Sequence, residues 1–207
     1  AITAALEQLG PVVDRPPVEG GVRFEGTTPV PVLPGSGQQL DVDAAIDVLT
    51  RDWISGHPVA LPMTELPPTT TPDDVHRAIE EVARPAVAGP VTVIGENGAR
   101  GVITPEVIAN ALTFRADPEA GLVPELNQPV LTQALKPQLA SSEVPGRNAT
   151  IDFSSGRPVI IPSKDGRGVD YDATLRDLLT VISGGGPREV VAVYTDQPAD
   201  LTTEEIS

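Results

Sequence analysis

From Leu40 to Ser55 the apolar side chains recur at Val42, Ala45, Ile46, Leu49 and Trp53. This spacing gathers them on one face of a helix and makes Trp53 a core residue beside Leu49. Asp41, just ahead, predicts an N-cap whose carboxylate accepts the free amide hydrogens of the first turn. The SGHP that follows predicts the stop, because glycine closes a helix in the left-handed conformation and proline cannot continue it. A strand, VALPMT, comes next. In front of the helix lie two short extended runs, GVRFEG and PVPVLPG, bounded by glycine turns, which predict a hairpin or two edge strands. Pro29, Pro31 and Pro34 argue against a central strand there.

The same pattern returns later in the chain. ATIDFSSG and PVIIPSKDG stand for the two extended runs, Asp170 for the cap, and Tyr171, Leu175, Leu178 and Ile182 for the helical stripe. SGGGP is the stop and EVVAVYT the strand. Phe24 matches Phe153, Asp41 matches Asp170 and Pro58 matches Pro187 at a separation of 129 positions; Thr64 matches Thr195 at 131. Residues 1–75 and 131–206 therefore read as two copies of one pattern, the mark of a modular protein. The matched strand positions of Phe24 and Phe153 predict core side chains.

The stretch 71–130 occurs once. Thr71, Pro72, Asp73 and Asp74 predict a capped helix start, Val75, Ile79 and Val82 its apolar face, and Pro85 its end. PVTVIGENGARGVI predicts two strands turning at Asn97-Gly98. TPEVIANAL predicts a short helix, and GLVPELNQPVLTQALKPQL a strand followed by a helix capped by Asn127. Short helices and short strands without strict alternation predict an α+β protein, built of tandem repeat units whose helices pack on small, mostly antiparallel sheets. In this division residues 1–70 are the C-terminal part of a first unit and 71–207 a second, complete one; three small domains are the alternative. The chain opens inside a helical pattern, AITAALEQL, and closes on LTTEEIS, where the repeat predicts a further helix. We expect a window of a longer protein, whose preceding part has room for a signal or membrane anchor.

Composition narrows the functional classes. A formal net charge of −15 over 207 residues repels phosphate backbones and anionic membranes, which disfavours nucleic-acid binding. With no cysteine there is no disulfide, thiolate metal site or cysteine nucleophile. No apolar run approaches the roughly 18 residues a membrane span needs. Aromatic residues make up 3% of the chain, so the core must come from Val, Leu, Ile and Ala. The 23 prolines and 19 glycines predict many turns.

The run PSKDGRGVDYDATL, the later PADLTTEE, and the first-copy counterparts PGSGQQLDVDAAI and PPTTTPDD resemble a known family. It is the peptidoglycan-binding domain found in tandem in VanW-type vancomycin-resistance-associated proteins and ahead of the catalytic domain of some L,D-transpeptidases. GRNATIDFSSGRPVII is similar to the stretch preceding that motif. The resemblance covers nearly the whole chain, while copy one departs at Pro31 and lacks an equivalent of Lys164. It implies an extracytoplasmic cell-envelope module of a membrane-anchored parent protein, with peptidoglycan or its precursors as partner. Richness in Ala, Val and Pro points to an actinobacterial source. Neither a VanW domain nor a transpeptidase cysteine is present.

Candidate chemistry is sparse. His57 lies in the glycine–proline turn and His76 beside Arg77 off the helical stripe, so both read as solvated; neither has a convergent partner. Asp41, Asp43, Asp47 and Asp52 mimic calcium-loop spacing, but Ile46 occupies the glycine position and the segment is helical. Gly95, Gly98 and Gly101 match no nucleotide fingerprint. Asn148 starts a formal N-glycosylation sequon. Tyr171 and Tyr194 (Met63 in copy one) are the candidates for a sugar-stacking platform. No catalytic, cofactor-binding or metal-binding set emerges, and the ligand-binding residues stay unassigned. The expected role is non-catalytic peptidoglycan binding through stem peptide or glycan, with a structural spacer or protein-interaction module as the alternative. A wall hydrolase or transferase would need a nucleophile–base pair that the chain does not offer.

Overall fold

The computed structural model describes residues 2–52, 58–154 and 156–205. In chain order the elements are α1 (Ile2–Val13), β1 (Gly21–Glu25), β2 (Thr28–Val32), β3 (Gly37–Leu40), α2 (Val42–Asp52) and β4 (Met63–Leu66). Then come α3 (Pro72–Arg77), a π-helical turn (Ala78–Ala83), α4 (Arg84–Ala86), β5 (Val91–Ile94), β6 (Arg100–Ile103), α5 (Pro105–Ala111), β7 (Leu112–Asp117) and β8 (Gly121–Leu126). The rest is α6 (Gln128–Leu139), β9 (Thr150–Asp152), β10 (Val159–Ile161), β11 (Gly166–Asp170), α7 (Tyr171–Leu175), α8 (Leu178–Ser183), β12 (Glu189–Val191) and β13 (Val193–Gln197). This is an α+β protein of short helices and small sheets. No described helix is long and apolar enough to cross a membrane.

The chain divides into two compact units. One comprises Ala1–Arg23, Pro29–Ile79 and Phe114–Pro124; the other comprises Phe24–Thr28, Glu80–Thr113 and Glu125–Ser207.

In the first unit Leu6, Leu40 and Ala45 are buried together, with Leu9, Val13, Val42, Ile46, Leu49 and Met63 packed against them. The stripe read from α2 thus faces a core, and Asp41 caps the helix by accepting from Ala44 N at 3.0 Å. A second cluster joins Val75, Ala78, Ile79 and Leu122, with Val22, Phe114 and Ala116 against it. Thr71 and Asp74 form a reciprocal capping box at the start of α3.

In the second unit β5 lies at the centre of a three-stranded sheet, antiparallel to β6 and parallel to β12. Val91, Val93, Ile103 and Ile108 are buried there, as are Leu131, Leu135 and Leu139 along α6 and Leu178 and Ile182 on α8. Gly101 is required by this packing, since a Cβ there would sit 2.7 Å from Leu135 Cδ2. Arg188 ties the unit together: its guanidinium donates to the carbonyls of Pro85, Ala86, Gly89, Pro90 and Ile182. These include carbonyls that helix ends leave unpaired.

The ladders β3–β4 and β11–β13 have matching backbone pairings. Gly37↔Leu66 through Leu40↔Met63 in β3–β4 correspond to Gly166↔Gln197 through Val169↔Tyr194 in β11–β13. The bridges Arg15↔Gln38 and Val18↔Gly35 correspond to Val144↔Arg167 and Arg147↔Lys164. Asp14 accepts from Leu40 N at 2.7 Å where Glu143 accepts from Val169 N at 3.1 Å.

Several expectations are corrected. Phe153 is 67% exposed and Phe24 half-buried, so neither is a core residue; the hairpins that carry them are two-stranded, with no sheet stacked over both faces. Pro85 does not end its helix, which continues to Ala86. The preceding π-helical turn widens the backbone there, and a proline, with no N–H to place, is accommodated in the shifted register. Asn127 holds the N-cap position of α6 without a side-chain cap bond. Its N–H instead donates to Ala111 O at 2.8 Å. The EVVAVYT run is two strands, because the chain leaves β5 after Ala192 and pairs with β11 from Val193. The second helical stripe is likewise split into α7 and α8. Trp53 and His57 lie outside the described residues.

Candidate functional site

The second unit carries an open groove of about 520 Å³ lined by Gln128, Pro129, Thr132, Gln133, Lys136 and Asp172. Its floor follows from the two stripes of α6. Leu131, Leu135 and Leu139 recur every fourth residue and are fully buried. Gln128, Thr132 and Lys136, with Pro129 and Gln133, share the same period and form the adjoining stripe. Burying the leucine stripe therefore turns the polar one outward.

Asp172 closes the groove from the first turn of α7, and that turn is firmly held. Asp170 caps it by accepting from Ala173 N at 2.9 Å, and Thr174 Oγ donates to Asp170 O at 2.6 Å. The same hydroxyl accepts from Val193 N at 2.9 Å, which fastens the turn to β13. Tyr171 donates to Glu143 Oε1 at 3.4 Å. Burial, reinforced by the Glu143 charge, pushes its phenol up to about 12.

Among the described residues, none of the groove's polar side chains is hydrogen-bonded or ion-paired within the protein. Gln128 and Gln133 offer amide donors and acceptors, Thr132 a hydroxyl, Lys136 a cation and Asp172 an anion. The arrangement can hold a ligand that carries amides and both charge signs. It contains no nucleophile activated by a base.

The residues singled out from the sequence are placed elsewhere. His76 is exposed on α3. Asp41 caps α2, and Asp43, Asp47 and Asp52 ride on that helix, so no loop surrounds them. Gly95 and Gly98 belong to the connection between β5 and β6, where Asn97 and Gly98 take φ of 54° and 78°. Asn148 Oδ1 accepts from Leu201 N at 3.3 Å. Tyr194 is not a free platform: its hydroxyl donates to Ser142 Oγ and accepts from Glu96 N at 3.0 Å. Arg167 lies 5.6 Å from its ring centroid, paired with Glu96 at 2.7 Å and Asp196 at 3.5 Å. This pairing holds the Glu96 carboxyl below its ordinary range. The corresponding ladder position in the first unit, around Gln38, Met63 and Glu65, is an open pocket of about 340 Å³.

None of the groove residues was read from the sequence as a ligand contact. The available signal was the regular polar stripe on α6, legible only once the leucine stripe beside it is known to be buried.

A family model described as "Putative peptidoglycan binding domain" matches residues 79–191, a stretch that contains every groove residue. No curated protein and no solved structure matches the chain.

Proposed function

The chain belongs to the family described as "Putative peptidoglycan binding domain", and from that premise we propose that it is a non-catalytic, extracytoplasmic module of a cell-envelope protein that binds peptidoglycan in the α6–α7 groove. The observation that carries this reading is the set of five polar side chains that have no partner among the described residues, inside the family-matched stretch. The ligand we assign is the stem peptide with its neighbouring acetamido groups. Lys136 is suited to a stem carboxylate and Asp172 to a free amine, while Gln128, Thr132 and Gln133 suit amide groups. The pocket size is in the range of small-ligand sites. We further propose that the protein is a tandem-repeat, VanW-type envelope component of actinobacterial type, with one repeat ending near residue 70 and another starting at 71. The matched ladders and the motif resemblance support that reading.

Sedimentation with purified sacculi tests it. The native chain is expected to pellet well above a control protein of matched charge. The double variant Lys136→Ala, Asp172→Ala should lose at least about fivefold of that binding, in keeping with one or two lost charge-assisted contacts. Co-sedimentation no better than the control removes the proposal. One observation favours a second role beside binding. The duplicated ladder geometry suits a spacer that repeats along a polypeptide, and small-angle scattering of longer tandem chains would show extension with each added unit.

A further inference from the structure

The β9–β10 hairpin exposes Ile151, Val159, Ile160 and Ile161. Ile151 and Ile160, cross-strand partners in β9–β10, are 45% and 40% exposed. Phe153, just past the end of β9, is open as well. A two-stranded hairpin with its apolar side chains in water is marginal by itself. Contiguous exposed apolar side chains of this kind mark an interaction surface.

In the first unit the counterpart of Ile151 is covered, while Pro31, the counterpart of Ile160, stays exposed. Val22, which stands 129 positions before Ile151, packs against Val75, Ala78, Ile79 and Leu122. The approach is close, since a Cβ on Gly20 would lie 2.7 Å from Val75 Cγ2. The covering residues Val75, Ala78 and Ile79 sit on the helical rise that starts from the Thr71 cap.

The devices that seat this helix are present a second time. Thr71 N and Oγ donate to Asp74 Oδ2 at 2.9 and 2.7 Å; Thr202 N and Oγ donate to Glu205 Oε2 at 2.8 and 3.0 Å. Glu19 accepts from Thr69 N and Thr70 N just ahead of the first cap, and Asn148 accepts from Leu201 N ahead of the second. Gly20 N donates to Thr70 Oγ at 2.6 Å, and Ala149 N donates to Leu201 O at 2.9 Å. The second hairpin thus has the clamp and the cap of the first. Among the described residues it has no helix on its Ile151–Ile160 face.

We infer that the Ile151 side of the β9–β10 hairpin is a docking surface for an acid-capped amphipathic helix presenting aliphatic residues at i, i+3 and i+4, supplied by a further unit of this kind. Its chemistry is that of Val75, Ala78 and Ile79 following Thr71 and Asp74. The inference rests on the internal correspondence of the two hairpins and is independent of peptidoglycan binding.

The test extends the full chain after Ile206 with a copy of residues 76–126, so that a helix continues from the Thr202 cap in the register of α3. Amide hydrogen exchange at Ile151 and Ile160 is compared with the parent chain. At least a tenfold slowing is expected, lost when the appended copy carries Ile79→Asp. Because that variant can also unfold the extension, Ile151→Asp in the exposed host hairpin is the second arm, and it should abolish the slowing equally. Unchanged exchange in the extended chain overturns the inference, as does slowing that survives Ile151→Asp. Protection of the parent chain that rises with its own concentration, together with dimer sedimentation, also overturns it, since the occupant would then be a second copy.

Discussion

Glu19 and Arg188 hold the fold through backbone groups, and each has a measurable signature. The Glu19 carboxylate accepts from both backbone and side chain of Thr69 and Thr70, which lowers its pKa to about 2. A carboxyl depressed on folding stabilises the native state above its ordinary value of 4.5, and that contribution is lost as pH falls toward 2. Glu19→Gln should therefore be less stable than the native chain at pH 7 and show a shallower loss of stability between pH 4.5 and 2. Urea midpoints across that range check it. Arg188 donates to five carbonyls and faces no carboxylate among them. Arg188→Met keeps the stem and removes the guanidinium donors from those carbonyls, of which Pro85 O keeps Ala88 N, so a loss of about 3 kcal/mol is expected in thermal or urea unfolding. Arg188→Lys should recover only part of it, because an ammonium lacks the planar fork. Little of this was legible beforehand. Glu19 and Arg188 are ordinary charged residues in the sequence, and their partners lie 50 and up to 103 positions away.

Elements were more legible where local chemistry decides them. Asp41 and Asp170 cap their helices as the sequence predicts, and Thr71, Pro72 and Asp74 start α3 with a full capping box. Caps need only neighbours within a turn, so sequence suffices for them. The EVVAVYT run differs from its reading because distant partners β5 and β11 divide it, and Pro85 because the π-helical turn just before it shifts the helical register. The paired glycines of the two ladders give a prediction at this scale. A Cβ on Gly37 would collide with Arg15 O and the peptide of Pro16–Pro17, and one on Gly166 with Val144 O and Gly146 N. Both lie against backbone that cannot swing aside. Gly37→Ala and Gly166→Ala should each cost about 2–4 kcal/mol, and circular dichroism melts of the two variants should fall by similar amounts.

For the molecule as a whole, charge governs association. A net charge of −15 repels the anionic polymers of a cell wall over a Debye length, and salt screens that repulsion. Raising ionic strength from about 20 to 150 mM should leave sacculus binding unchanged or strengthen it. Weakening by tenfold or more would instead mean that Lys136 and its ligand dominate through exposed ion pairing. By itself the sequence determined the α+β class, the caps at Asp41, Thr71 and Asp170, and the net negative charge, because each depends on residue type and short-range spacing. Tertiary structure alone decided which polar stripe became a groove, which tyrosine was occupied, and which of Val22 and Ile151 was covered. Those outcomes depend on long-range packing: Leu131, Leu135 and Leu139 turn α6 inward, and Val75 and Ile79 pack on Val22 while its counterpart Ile151 stays in solvent.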